Sequence, residues 1–423
     1  MTLPTPLDAT MQEMGRRARG GAEALRTATA ATRSAALSAM AEALRDRTEA
    51  ILEANAADVE RARAKGVTEA LIDRLALTPA RVAAMAGAVD EVAAFPDPLG
   101  QSTAHWTRPN GLAFSRVRTP LGVLAIIYES RPNVTADAAA LCIRSGNAAI
   151  LRSGSDCLDS ALSIHGAVVE GLTAAGLPGE AVQLVQTPDR AAVGALLTGL
   201  GGAIDLLIPR GGRSLVERVQ AEARVPVLGH LEGVNHTYLH ASADVGMAVE
   251  LAVNAKMRRV SVCGATETLL VDREAAERLL PPVAEALRAA GCELRGDAAA
   301  RALVPGMGVA EEADWSTEYL APVLSVAVVD GLDAAVAHID RYGSGHTEAI
   351  VAQDAYAAAA FQAVVDASIV LWNASTQFAD GGEFGFGGEI GISTSRLHAR
   401  GPVGAEQLTS YKYVVTGTGQ IRP

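Results

Sequence analysis

Cysteine, lysine and aromatic side chains are scarce in this chain, and each scarcity excludes something. Four cysteines occur in 423 residues (Cys142, Cys157, Cys263 and Cys292), with no close CxxC pair. That excludes a disulfide scaffold and points to a reduced, cytoplasmic setting. Aromatics make up 4%, so the cores must be built from Ala, Val, Leu and Ile. Lysine appears only at 65, 256 and 412, and no basic run interrupts a formal charge of −12. Such a chain is a poor nucleic-acid binder, because phosphate neutralisation dominates that affinity. No window of about 18 apolar residues suggests a membrane span. Asp8 and Glu13 stand where a secretory signal would be basic and then apolar, so none is expected. Neither a Walker GxxxxGK nor a GxGxxG opening a helix after a strand is found. What remains is 49% hydrophobic and 20% charged, an ordinary globular composition in a chain long enough for two to three domains of roughly 150 residues.

The first hundred residues repeat Ala, Leu and Met at three- and four-residue spacing, as in AALSAMAEALRDRTEAILEANAADVERARA, which predicts helices. Thr78-Pro79 reads as an N-cap with proline at the first helical position. Residues 105–120 carry the turn Pro109-Asn110-Gly111 between strand-like arms, a projecting hairpin. Short apolar runs then alternate with helical segments: 122–128, 148–152, 181–186 and 204–210, followed by a second series at 266–271, 322–329, 347–353 and 368–373. This predicts parallel βαβ architecture in two α/β domains, with a boundary near Leu231–Val234. The C-terminal YKYVV is a further strand that could pair with the hairpin.

The most informative thiol is Cys263, in NAKMRRVSVCGATETLLV. It sits on a connection between a predicted helix and strand, with Lys256, Arg258 and Arg259 upstream. Cations lower a thiol pKa, and Gly264 would admit a close substrate. The thiol reads as a nucleophile or as an inert buried cysteine. His230, in GHLEGVNHTYLH, is the candidate base or charge stabiliser; a structural hydrogen bond is the other reading. His236 and His240 have metal spacing only on a helix, and this stretch reads as extended, so no metal site is expected. LLIPRGGRSLVERV places Pro209, Arg210, Gly211, Gly212 and Ser214 at a strand-to-helix turn, an anion site or an ordinary βα turn. Arg152, Ser153 and Ser155 end another strand; an arginine there suits the 2′-phosphate of NADP, against which Asp156 weighs. The segment 381–393, with six glycines in thirteen residues, reads as a loop close to a ligand or as a tight connection.

These motifs, with TPLGVLAIIYESRPNVTADAAALCIRSGNAAILR, EFGFGGEIGISTSRLHARGPVGAEQLTSYKYV and the terminal GTGQIR, resemble the gamma-glutamyl phosphate reductase family (glutamate-5-semialdehyde dehydrogenases), a branch of the aldehyde dehydrogenase superfamily. The resemblance covers essentially the whole chain. It implies an α/β fold with a Rossmann-like cofactor-binding domain (1–104 and 122–232), a catalytic domain (233–380) and an oligomerisation hairpin and tail (105–121 and 397–423). It implies NADPH-dependent reduction of L-glutamyl 5-phosphate to L-glutamate 5-semialdehyde, with phosphate release, through a cysteine thioester in proline biosynthesis. The alternative is an NAD(P)-dependent hydrolytic aldehyde dehydrogenase. Cys263 matches the nucleophile. His230 falls where hydrolytic relatives have a Glu base, Glu318 looks like the glutamate on the nicotinamide ribose, and Arg152 takes the place of a cofactor-binding lysine. Lys256 and Arg259 occupy family positions. Arg131, Asn133, Lys256, Arg258 and Arg259 are the expected substrate contacts, and the ESRPN segment is a candidate second oxyanion donor. A dimer or tetramer is expected, with glutamate 5-kinase as a candidate partner. Val260, Gly264 and Asn235 depart from the family's Pro, Asn and Cys.

Overall fold

The computed structural model describes residues 6–422 and divides into two compact units. One runs through Gly229 and takes in Gly385–Gly391 and the chain from Val403; the other comprises His230–Phe384 and Ile392–Pro402. In chain order the strands are β1 (Ser102–Thr107), β2 (Ala113–Pro120), β3 (Val123–Tyr128), β4 (Ala148–Arg152), β5 (Val182–Leu184) and β6 (Leu206–Arg210). Then come β7 (Asn235–Leu239), β8 (Thr266–Asp272), β9 (Glu293–Gly296), β10 (Gly308–Val309), β11 (Val323–Val329), β12 (Thr347–Val351) and β13 (Ile369–Trp372). The last three are β14 (Ile392–Ser393), β15 (Gly401–Pro402) and β16 (Thr409–Thr416).

In the first unit, five helices between Pro6 and Ala94 precede the strands. The Thr78 side chain caps the fifth by accepting from the Arg81 N–H at 3.2 Å, with Pro79 in the first turn. β3, β4, β5 and β6 form a parallel sheet in the order β5-β4-β3-β6. Every residue of β3 is buried, as a strand covered on both faces requires. The chain moves outward from β3 to β5 and then returns to the other side of β3. That reversal creates a switch point at the carboxyl ends of β3 and β6, where open α/β sheets take ligands. The tail strand β16 pairs antiparallel with β2 from Thr409↔Pro120 to Thr416↔Ala113, completing a sheet β1-β2-β16. Trp106, Tyr411 and Tyr413 are exposed on it.

The second unit is built on a seven-stranded parallel sheet, β10-β9-β11-β8-β7-β12-β13. Its core packs Leu269, Val271, Leu279, Leu280, Val283, Leu324 and Val326 on one side. Tyr238, Leu270, Ile339, Ile350 and Phe361 fill the other. Strands β9 and β10 were not among those expected from sequence; they are four and two residues long, too short to leave a periodic signal. The division also falls earlier than Leu231–Val234. His230 belongs to the second unit, where its Nδ1 meets the Ile392 carbonyl at 2.7 Å. The first residues of the tail join it as well, because Gly401–Pro402 pairs with Ile392–Ser393.

One half-buried acid in the first unit, Asp137, carries a pH signature. Asp137 lines a cavity of about 160 Å³ with Val89, Val92, Leu141 and Gly388. Desolvation pushes its carboxyl up to about 6, against the pull of Asn133 and Arg210. The unfolded chain ionises this group near pH 4, so stability falls as pH rises from about 4 through 6. Asp137→Asn should raise the melting temperature at pH 7, by roughly 1–2 kcal/mol of stability after solvent screening. It should also flatten the stability profile between pH 4 and 6 in thermal melts; an unchanged profile would count against this assignment.

Candidate active site

Three adjacent parallel strands, β8, β7 and β12, assemble the site at their amino ends. Cys263 precedes β8, His230 and Gly233 precede β7, and His346 precedes β12. The register pairs Asn235 with Thr266 and His236 with Glu348, which brings the three lead-in segments together. One ring nitrogen each of His230 and His346 and the Cys263 Sγ lie within 4.8 Å of one another. The two imidazoles meet edge to face, centroids 4.9 Å apart.

Asn235 holds these segments in place. Its amide donates to the carbonyls of Cys263 (2.6 Å) and Ala265 (2.9 Å), and its Oδ1 accepts the Thr347 N–H at 3.1 Å. The residue is wholly buried, and its side chain ties the Cys263 loop, ahead of β8, to the start of β12. Gly233 permits the approach: a Cβ there would stand 2.1 Å from the Cys263 carbonyl oxygen. Its N–H donates to Glu318 Oε1 at 3.0 Å. Gly264 lies close to the Thr376 carbonyl, 3.1 Å from where its Cβ would be, so a larger residue would need that neighbour to shift.

Burial alone would raise the Cys263 pKa. The charge of His346 and hydrogen bonds from His230 and His346 overcome that, and the thiol lies well below its ordinary value. The other three thiols behave oppositely: burial pushes Cys142 up to about 12, Cys292 to about 11 and Cys157 beyond that. Only at Cys263 is the balance shifted toward the thiolate, the reactive form. Glu318 is raised, first by burial and then by the neighbouring Cys263, with the Gly233 N–H opposing. His230 Nδ1 faces a carbonyl, which has no proton to give, so Nδ1 carries the hydrogen and Nε2 is the basic nitrogen.

The expected source of thiolate character is corrected. Lys256 is fully buried and ion-paired with the equally buried Glu267, beneath the Tyr319 ring. Its charge is neutralised inside the protein, which also removes it from the expected substrate contacts. The histidines do what the lysine was expected to do. Arg258 and Arg259 are exposed at the end of the helix Val245–Met257, and Arg258 reaches Gln377 at 3.5 Å. His236 is paired with Glu348 at 3.0 Å, both buried, while His240 bonds Ser242. His346 was not singled out by sequence: a lone histidine before a strand has no periodic or motif signal.

In the first unit, Arg152 and Ser153 end β4, both buried. The Arg152 guanidinium donates to the carbonyls of Ser153 and Pro188, while its Nε and the Ser153 hydroxyl have no protein partner. Ser155 is exposed. Pro209 and Arg210 end β6, and Gly212 caps the helix Arg213–Glu222, with Ser214 in its first turn. The Gly212 N–H donates to the Glu129 carboxylate at 3.3 Å. Glu129, unflagged in the sequence, thus supplies the anion at that helix end. A Cβ on Gly211 would sit 2.6 Å from the same carboxylate oxygen. Asn133 donates to Asp137 at 2.8 Å, and Arg131 lies in the same turn after β3. Unpartnered donors at the end of β4 and a backbone turn at the end of β6 fit a dinucleotide's anionic and hydroxyl groups.

Gly233→Ala should leave the fold intact but push the nucleophile loop aside. A displacement near 1 Å can cost about a hundredfold in rate, so kcat/KM should fall by about that factor with unchanged circular dichroism. Near-normal turnover would show that the close approach is not needed.

Residues 3–300 match the aldehyde dehydrogenase family model. The chain is 68% identical over 417 residues to a gamma-glutamyl phosphate reductase of Caulobacter sp. strain K31, covering 99% of this chain and all of that one. It is 57% identical over its full length to a gamma-glutamyl phosphate reductase of Paramagnetospirillum magneticum, again covering all of both chains. The crystal structure of gamma-glutamyl phosphate reductase from Thermotoga maritima superposes with a TM-score of 0.95 at 43% identity, covering 98% of this chain and 100% of that one. An acetylating aldehyde dehydrogenase from Geobacillus thermoglucosidasius shares the fold at 18% identity and a TM-score of 0.69, covering 99% and 98%. With its thiolate flanked by two imidazoles at the amino ends of three parallel strands, the chain belongs to the gamma-glutamyl phosphate reductase family of aldehyde dehydrogenases.

Proposed function

We propose that this enzyme reduces L-glutamyl 5-phosphate to L-glutamate 5-semialdehyde in proline biosynthesis, through a thioester on Cys263 and with NADPH. The observation that carries the reading is a single thiol, Cys263, held well below its ordinary pKa by His346 and His230 against the cost of burial. The Cys263 sulfur attacks the γ-acyl carbon; the C–S bond forms and the C–O bond to phosphate breaks. His230 Nε2, the basic nitrogen, holds the thiol's proton and passes it to the departing phosphate. When bound, the nicotinamide supplies hydride to the acyl carbon. Collapse then breaks the C–S bond, releases the aldehyde and returns the thiolate, and the imidazole takes its proton back from solvent. Splitting the reduction this way replaces one hard step with two easier ones. The Cys263 backbone N–H is the proposed oxyanion donor; loss of one such donor costs roughly a hundred- to a thousandfold.

Exposed Arg258 and Arg259 are the proposed clamps for the substrate's carboxylate and phosphate, reversing locally the chain's −12 charge. Arg152, Ser153, Ser155, Gly211, Gly212 and Ser214 are proposed to hold the cofactor, with Arg152 favouring the 2′-phosphate of NADP. The exposed aromatic face of β1-β2-β16 is the proposed oligomer contact. No described helix is long and apolar enough to cross a membrane.

Two measurements check the reading. Semialdehyde plus NADP should be oxidised only when phosphate is present; phosphate-independent oxidation would instead support a hydrolytic dehydrogenase. Cys263→Ala should abolish turnover while NADP still binds, and substantial residual activity would sink the thioester.

A further inference from the structure

The site around Cys263 has a second chemical capability that the reductase reaction does not require. The thiolate and two imidazoles come from three separate strand ends, and their ligand atoms already lie within 4.8 Å of one another. Each imidazole has its other nitrogen engaged. His230 Nδ1 meets the Ile392 carbonyl at 2.7 Å, and His346 Nδ1 meets Thr347 Oγ1 at 2.9 Å. Metal-binding histidines are oriented in this way, with the second nitrogen donated to a carbonyl or hydroxyl and the first turned to the ion. His346 is 0% exposed, and its Nε2 has no partner apart from the Cys263 sulfur. Among the described residues, these three form the one group of histidine, cysteine and acid side chains close enough to share an ion.

We propose that Cys263, His230 and His346 form a three-ligand site for a borderline-soft divalent cation, Zn2+, which reversibly blocks the nucleophile. Thiolate with two imidazoles selects zinc over magnesium or calcium, which favour oxygen ligands. Tetrahedral zinc holds sulfur at about 2.3 Å and nitrogen at about 2.0–2.1 Å, so ligand atoms in such a site sit roughly 3.3–3.7 Å apart. Closing from 4.8 Å asks for a movement of about 1 Å. Rotation of the Cys263 side chain about its own bonds can supply that movement, while Asn235 anchors the carbonyl of its turn. Cys263 is half-buried. Glu318, whose carboxyl feels Cys263, His230 and His346, adds negative charge near the ion. A zinc-bound sulfur cannot attack an acyl carbon, so occupancy and turnover exclude each other. Only this consequence rests on Cys263 being the nucleophile; the binding itself rests on geometry.

The test uses the full chain stripped of metal with EDTA. Cobalt(II) added alone should produce a sulfur-to-cobalt charge-transfer absorption, and zinc should displace it at one equivalent per chain. Cys263→Ala should lose the band. His346→Ala should weaken zinc at least tenfold, and His346→Asn should do the same if the alanine variant folds poorly. Activity in the phosphate-dependent assay should fall in proportion to occupancy and return with EDTA. No charge-transfer band, or zinc affinity unchanged in both the Cys263 and His346 variants, would overturn the site. Occupancy without loss of turnover would overturn the block. Binding is read without catalysis, so its failure leaves the reductase reading standing, and failure of the phosphate test leaves the metal site standing.

Discussion

The parallel pairing of β8, β7 and β12 is the constraint on which the chemistry depends. Each strand is fully buried and hydrogen-bonded to its neighbour, so the positions of its lead-in residues are set to within the rigidity of the sheet. Open α/β sheets commonly place ligands at the carboxyl ends of their strands; this unit puts its reactive sulfur at the amino ends instead. Asn235 makes the arrangement stiff, since one amide satisfies two carbonyls and one N–H from both flanking segments. Removing it would orphan all three, and each buried unsatisfied group costs about 1–3 kcal/mol.

The thiolate survives burial because its counter-charges are close and held. Desolvation by itself disfavours an ionised sulfur, as Cys142, Cys157 and Cys292 illustrate. Two imidazoles reverse the balance at one position only. The same unit buries other polar pairs structurally. Lys256 is ion-paired with Glu267, and the His236 ring is hydrogen-bonded with Glu348, on adjacent elements and sealed from water. Glu267 is raised to about 7, first by burial and against the pull of Lys256. Such pairs contribute little net stability, but breaking one leaves an uncompensated buried charge. They link adjacent elements of the sheet and its helix away from solvent.

In the first unit, the switch point between β3 and β6 carries a negative side chain, Glu129, on a helix N-terminus. A carboxylate there takes the role that the dipole and free N–H groups would otherwise offer to a phosphate. The end of β4 differs, with an arginine Nε and a serine hydroxyl left without partners. The two strand ends therefore offer opposite chemistries, an acceptor and a set of donors.

Much of this was legible in the residues. Apolar runs such as VLAIIY and TETLLV announce buried parallel strands, Thr78-Pro79 announces a helix start, and the loop placement of Cys263 beside Gly264 singles it out from the other three thiols while leaving nucleophile and inert cysteine both open. Strands β9 and β10 were hidden because they are too short for periodicity to accumulate. Local order determined by itself which of the longer apolar runs are strands, which thiol sits on a loop and which turns are rich in glycine, because those properties depend on neighbours a few positions away. Only the tertiary structure decided that His346, 83 positions beyond Cys263, supplies the charge expected from Lys256, Arg258 and Arg259, and that Lys256 is consumed by Glu267. The first follows from strand order across the sheet and the second from the helix Val245–Met257 lying beside β8, and Coulomb interactions act through space rather than along the chain.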